Sequence, residues 1–185
     1  MLRCLPKKNL KERKKAWIIF NCSILQKIAA LQSPVNPTLS QTVSKFPGKK
    51  ILLIGDLILD QYIVGNWAES IAEPNIPVIQ TKQVSYCLGG AANVAANITG
   101  LQGYADLIGV IGSDESATKL ITLLRENDIQ TSGLKIDVSR PTTTKTRIAI
   151  GSQTIMRVDC ETVAPVAEEI LEDLYEYSVR QIHQI

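Results

Sequence analysis

Two glycines directly before a helical segment form the pattern in this chain that most strongly indicates ligand binding. Gly89 and Gly90 precede residues 91 to about 102, whose composition predicts a helix. Glycine has no Cβ, so backbone N–H groups there can approach a ligand closely, and a helix N-terminus carries partial positive charge. Asn93 lies in the first turn and can add a side-chain amide. Asn97 lies one turn further on the same face, and we expect it to be buried and hydrogen-bonded.

Two upstream carboxylates could complete such a site. The apolar residues 51–54 predict a short buried strand that ends at Gly55 and Asp56, and Asp60 follows four residues later. Carboxylates accept hydrogen bonds from hydroxyl groups, so the pattern favours a polyhydroxylated ligand. On spacing alone Asp60 could also cap a turn, and for Asp56 we expect a structural role.

Charge is unevenly distributed along the chain. Residues 1–50 contain eleven Lys or Arg and one acid, a net charge of +10, whereas residues 51–185 contain nine Lys or Arg and seventeen acids, a net charge of −8. An acidic body argues against a nucleic-acid partner. No apolar stretch reaches the roughly 18 residues that span a bilayer. We therefore expect no transmembrane segment and a cytoplasmic location.

The cysteines and the single histidine do not form a metal motif. Cys4, Cys22, Cys87 and Cys160 contain no C-x-x-C pair, and His183 is near the end of the sequence. These spacings exclude the common zinc sites. We expect no metal site and free thiols.

The order of predicted elements indicates an α/β fold. Strands are expected at residues 50–55, 105–111 and 129–137, with helices at 91–102 and 116–127 between them. This alternation predicts a parallel sheet covered by helices, whose ligands bind beyond the carboxyl ends of the strands.

Further strands that do not alternate with helices predict a small second sheet. They are residues 61–65, 76–85, 142–150 and 153–159, the last two joined as a hairpin by Gly151 and Ser152. A final helix is expected after Pro165. With nothing after it to pack against, the sheet is expected to be incomplete. Residues 1–48 are interpreted as a basic extension followed by a linker rich in Pro, Ser and Thr.

Six ordered segments resemble the ribokinase-like (PfkB) carbohydrate kinases over residues 49–185. They are GDLILDQY (55–62), GGAANVAAN (89–97), LIGVIGSD (107–114), TSGL (131–134), PTTTKTRI (141–148) and MRVDCE (156–161). Within that family the chain is most similar to the heptose 7-phosphate kinase branch. The resemblance implies an α/β fold of three α/β/α layers with a small β lid, formed by residues 61–85 and 142–159, and incomplete because the C-terminal half is missing.

The resemblance also implies the activity and the site. The family transfers the γ-phosphoryl group of ATP, with Mg²⁺, to a sugar. In the heptose branch the sugar phosphate is heptose 7-phosphate, and the product, heptose 1,7-bisphosphate, leads to ADP-heptose and lipopolysaccharide core. Four residues match the sugar-binding positions of the family: Asp60, Gly89, Gly90 and Asn93. Lys145 and Arg147 on a lid strand are expected to bind the 7-phosphate, since cations suit a dianion.

The catalytic part of the family pattern is absent from these residues. Relatives carry a Gly-Ala-Gly-Asp segment in their second half, which supplies the anion hole and the catalytic base, and the ATP pocket is built there too. We therefore assign no catalytic residue and no nucleotide-binding residue, and expect no useful turnover from this chain alone.

Two other hypotheses differ in class. The chain could be a non-catalytic interaction module, or a truncated gene product, that pairs through its lid strands, which in relatives often mediate homodimerisation. A dinucleotide-binding fold is excluded because no G-x-G-x-x-G follows the first strand.

Overall fold

The computed structural model describes residues 37–68 and 76–183. Its elements in chain order are α1 (Pro37–Val43), β1 (Lys50–Ile54), β2 (Leu57–Ala68), β3 (Val78–Gly89), α2 (Gly90–Gly100), β4 (Tyr104–Ile111), α3 (Glu115–Glu126), β5 (Gln130–Ile136), β6 (Thr144–Ile150), β7 (Gln153–Cys160) and α4 (Glu168–Ile182). The strands form two sheets. The core sheet has the order β1-β4-β5, and the lid sheet has the order β3-β2-β6-β7.

The core sheet is parallel and has helices on both faces. The side chains of its central strand β4 alternate between the two faces of the sheet. Leu107 and Ile111 belong to the apolar cluster that includes buried residues of α2 and α3. Asp106 points to the opposite face, where it accepts a hydrogen bond from Tyr177 Oη of α4 at 3.2 Å. Side chains on neighbouring positions of a strand face opposite ways. The molecule therefore has the α/β/α layers expected from the sequence.

Helix α3 follows directly from its sequence pattern. Ala117, Leu120 and Leu124 form a buried stripe at helical spacing. Asp114 caps the first turn, and its carboxylate accepts the backbone N–H of Ala117 at 2.8 Å. The expected helix at 116–127 is thus confirmed within one residue at each end.

The lid sheet is joined to the core sheet by the main chain. Only Gly55 and Asp56 separate β1 from β2. Strand β2 pairs antiparallel with β3 and parallel with β6, and β6 pairs antiparallel with β7. The β6–β7 hairpin turns at Gly151, which has a φ of +58° and open space around it.

Several expected boundaries need correction. Strands β2 and β3 have 12 residues each, longer than the segments 61–65 and 76–85. Most of β2 is neither fully buried nor fully exposed, so the two-residue alternation that marks a strand is weak there. The expected linker contains the short helix α1, with a proline at its first position. Residues 1–36 of the basic extension lie outside the described residues.

The cysteines also differ from expectation. Cys160 is a free thiol and is exposed, but Cys87 is disulfide-bonded, so the expectation of free thiols is wrong there. Disulfide formation depends on which cysteines the fold brings within bonding distance, and sequence spacing does not show this. Within residues 37–68 and 76–183, no helix has the length and apolar character needed to cross a membrane.

Candidate functional site

The start of α2 is fixed against the bend between the two sheets. The backbone N–H of Ala91 donates to the carbonyl oxygen of Asp56 at 2.9 Å. Gly90 has a φ of +54°, and a Cβ there would lie 2.4 Å from the same carbonyl oxygen. Both the conformation and the close approach therefore require glycine. The sequence pattern of two glycines before a helix has a definite structural cause at this position.

Asp60 lies at the same end of α2, beside Gly89. In the β2–β3 register Asp60 pairs with Cys87, and Ile58 pairs with Gly89. A Cβ on Gly89 would lie 2.6 Å from Oδ2 of Asp60. The missing side chain of Gly89 therefore leaves the space that this half-buried carboxylate occupies. The structure thus brings together Asp60, Gly89 and Gly90 from two strands and a helix.

The remaining polar candidates around this point differ in exposure. Asn93 is half-buried in the first turn of α2, and its side chain has no hydrogen-bond partner among the described residues. Asn97 is exposed, so the expectation of a buried, hydrogen-bonded Asn97 is wrong. The sheet side of α2 is occupied by Ala92, Ala95 and Ala96 instead. Asp56 is also exposed, and its carbonyl oxygen holds the start of α2.

Arg147 reaches Asp60 from the neighbouring lid strand. Its Nη1 donates to Oδ1 of Asp60 at 2.5 Å, with the two side chains 27% and 19% exposed. The guanidinium also lies 5.4 Å from the ring centre of Tyr62, which is its register partner on β2. The hydrogen bond to Asp60 raises the pKa of Arg147 above its ordinary value. Arg147 is therefore a charged group with two partners on β2.

Lys145 lies beside Asp60 in the register but binds other carboxylates. Its Nζ is 3.2 Å from Oδ2 of Asp159 and 3.3 Å from Oε2 of Glu161. These hydrogen bonds raise the pKa of Lys145. Arg157 also pairs with Asp159, at 3.0 Å. The lid cations at this surface therefore already have carboxylate partners.

Sequence reasoning did not identify the group that fastens the lid to the core. Asp114 Oδ2 accepts the backbone N–H of Thr142 at 2.8 Å, in addition to its cap of α3. The buried Thr142 in turn accepts the N–H of Gly112 through its hydroxyl at 2.9 Å. Burial alone would raise the pKa of Asp114, but the hydrogen bonds from Thr142 and Ala117 outweigh it and lower the pKa. In the sequence, Ser113 and Asp114 directly before the apolar stripe of α3 were the signal for this cap.

A second polar anchor connects the end of β5 to the segment that precedes α4. Asp137 is 4% exposed and pairs with Arg140 Nε at 2.7 Å. Arg140 Nη2 donates to the carbonyl of Pro165 at 2.9 Å. Hydrogen bonds from Ser139, and then from Arg140, lower the pKa of Asp137. These contacts fix the chain on both sides of the lid hairpin. In the part of the chain that the structure describes, no group of three or more His, Cys, Asp or Glu side chains could hold a metal ion.

Solved structures share this architecture. The chain matches a putative sugar kinase from Clostridium perfringens with a TM-score of 0.53 and 15% identity, covering 72% of this chain and 41% of that one. It matches Arabidopsis thaliana ribokinase, solved with ribose and ATP, with a TM-score of 0.50 and 15% identity, covering 68% and 42%. At these identities the likeness establishes the fold, which is ribokinase-like.

The sequence comparisons then identify the family. The family model described as pfkB family carbohydrate kinase matches residues 49–180. The chain belongs to the pfkB family of carbohydrate kinases.

Curated relatives share substantial identity over the same region. The bifunctional protein HldE of Helicobacter pylori strain J99 is 42% identical over 137 residues, which cover 74% of this chain and 30% of that protein. The HldE protein of Helicobacter hepaticus is 37% identical over 134 residues, covering 72% and 27%. The chain therefore spans less than a third of the length of these relatives.

Proposed function

We propose that the chain carries the sugar-binding part of an ATP-dependent kinase for heptose 7-phosphate. The observation that carries this proposal is the Asp60 carboxylate beside Gly89 at the start of α2. A sugar hydroxyl can donate to Asp60, while Asn93 and the backbone amides near Gly90 can bind neighbouring hydroxyls. Lys145 and Arg147 complete the wall of this site on β6. The heptose substrate rests on the family resemblance and on the identity to HldE proteins.

The proposed reaction is transfer of the γ-phosphoryl group of ATP to the anomeric hydroxyl, giving heptose 1,7-bisphosphate for ADP-heptose and lipopolysaccharide core synthesis. ATP and Mg²⁺ belong to the complete family member. Phosphoryl transfer depends on positioning and on stabilisation of the transferred group. The base and anion hole of the family pattern have no counterpart in this sequence. We therefore propose that this chain binds sugar in the cytoplasm but does not turn it over alone.

A thermal-shift experiment tests this assignment. Heptose 7-phosphate should raise the melting temperature of the chain, because a ligand that binds only the folded state stabilises it. ATP with Mg²⁺ should not. Asp60→Asn should abolish the shift, and Asp56→Asn is the matched control, since that carboxylate is exposed and nearby. Stabilisation by ATP alone, or a sugar-dependent shift that survives Asp60→Asn, contradicts the proposal.

The exposure of strand β7 favours a second candidate function, self-association or pairing with an intact relative. Strand β7 is the last strand of the lid sheet, and all eight of its residues are exposed. Met156 and Val158 are 54% and 50% exposed. Such an edge is a template for pairing with another strand. Size-exclusion chromatography with light scattering, with Val158→Lys as the edge-blocking variant, tests it. A monomer at micromolar concentration that also ignores an intact relative excludes this candidate.

A further inference from the structure

Arg147 binds one of the two carboxylate oxygens of Asp60. Oδ1 of Asp60 is bound by Nη1 of Arg147 at 2.5 Å, and Oδ2 lies in the space that the missing side chain of Gly89 leaves. No described residue donates a hydrogen bond to Oδ2. Arg147 therefore engages one oxygen of the carboxylate, while the other has no hydrogen-bond donor among the described residues.

The same contacts argue against Arg147 as a phosphate ligand. The surface formed by β2, β6 and β7 has three cations, Lys145, Arg147 and Arg157, and each is paired with a carboxylate from the group Asp60, Asp159 and Glu161. The formal charges cancel. A dianion at this surface would have to displace existing ion pairs, whereas a neutral hydroxyl group needs only the oxygen of Asp60 that has no donor.

The side chain of Arg147 is also held in place independently of any ligand. Its guanidinium lies 5.4 Å from the ring centre of Tyr62, and cation–π contacts of this kind favour a fixed position. Both partners of Arg147 are on β2, in line with the register that sets β6 beside it. The arginine thus has the position of a support behind the carboxylate.

We propose that Arg147 is a positioning residue for Asp60 and that it acts in recognition of the uncharged, hydroxyl-bearing part of the sugar. This rests on the proposed sugar site. It differs from the expectation that Arg147 binds the 7-phosphate. The two roles predict different behaviour with a ligand that has no phosphate.

The test compares the binding of two ligands to the 185-residue chain and its variants by isothermal titration calorimetry. The ligands are heptose 7-phosphate and the same heptose without phosphate. Arg147→Met should reduce the affinity for both ligands by a similar factor, about tenfold or more. Arg157→Met removes a cation of the same surface that pairs with Asp159 and not with Asp60, and should leave the affinity for both ligands unchanged. The double variant that combines Asp60→Asn with Arg147→Met should bind each ligand with the same affinity as Asp60→Asn alone.

Other outcomes separate the possible failures. A loss confined to heptose 7-phosphate in Arg147→Met overturns the positioning role and assigns the phosphate to Arg147. An equal loss for unphosphorylated heptose in Arg157→Met also overturns it. A wild-type chain that binds neither ligand refutes the proposed function, and this assignment with it. If Arg147→Met does not fold, as judged by circular dichroism, Arg147→Lys replaces it: it keeps the charge but not the geometry and should weaken both ligands equally.

Discussion

The two sheets of this molecule are stabilised in different ways. In the core sheet and its helices, Leu107, Leu120 and Leu124 are completely buried. The lid sheet contributes Leu57, Leu59 and Leu88 to the same core. Away from that core it has polar contacts between strands, such as Thr146 Oγ1 to Gln61 Oε1 at 3.0 Å, and its edge strand β7 is exposed throughout. Close packing makes a core intolerant of change. Ion pairs between the lid strands can exchange partners without repacking a core, and Asp60, Lys145 and Arg147 of the candidate site are on that sheet.

Shortening an apolar side chain in each region tests the difference between the two regions most directly. Leu120→Ala should lower the free energy of unfolding by about 2–5 kcal/mol, because it leaves a cavity in a fully buried site. Met156→Ala on β7 should cost less than about 0.5 kcal/mol, because that side chain is 54% exposed. Urea denaturation measures both. Equal losses would mean that β7 is covered in solution.

Two glycines with nearly the same φ offer a sharper comparison. Gly90 has a φ of +54° and Gly151 has +58°. Replacing either with alanine introduces a left-handed non-glycine residue, at a cost of about 1–2 kcal/mol. Gly90→Ala adds a clash, since its Cβ would lie 2.4 Å from the Asp56 carbonyl, whereas Gly151 has no atom within 4 Å. Thermal denaturation should show the larger loss for Gly90→Ala. If the losses are the same, the bend before α2 relaxes.

The last prediction concerns Asp114, which links the two regions. Asp114→Ala should cost about 1 kcal/mol through loss of the α3 cap. The folded-state pKa of Asp114 lies below its ordinary value of 3.8. The stability from Asp114 is therefore fully present above about pH 4 and is lost as the pH falls through the folded pKa. Between pH 6 and pH 3 the free energy of unfolding should fall less steeply with pH in Asp114→Ala than in wild type. Glu115→Ala is not a neutral control, because the pKa of Glu115 is also lowered, by Lys119.

Exposed Ser113→Ala is the better control for that series, because it neighbours the cap but has no carboxylate. It should keep the wild-type slope with pH. An Asp114→Ala curve parallel to wild type would assign the acid sensitivity to other groups, with Asp137 the next candidate.

Sequence reasoning succeeded where one element carries its own pattern. The buried stripe of α3, the alternation of β1, α2, β4, α3 and β5, and the glycine pair before α2 are local signals. They were sufficient to predict the layers and to select Asp60 and Gly89 as neighbours. The full length of β2 was not predictable in this way, because its burial does not alternate.

Contacts between distant residues were beyond a single sequence. Asp60 and Arg147 are 87 residues apart, and their ion pair depends on the parallel register of β2 and β6. A shift of that register by one residue would point Arg147 to the other face. The same reason explains the mistaken expectation for Asn97, whose exposure is decided by which face of α2 the sheet covers.

The Gly151 turn has a practical consequence for labelling. The turn follows Ile150, the last residue of β6, and Ile150 is five residues along the strand from Lys145. That separation is roughly 16 Å at about 3.3 Å per residue. Exposed turn tips with open surroundings tolerate inserted sequence well. A short affinity tag or a fluorescent reporter inserted after Gly151 should therefore leave the carboxylate of Asp60 undisturbed. The inserted label would be attached to β6, the strand that carries Arg147.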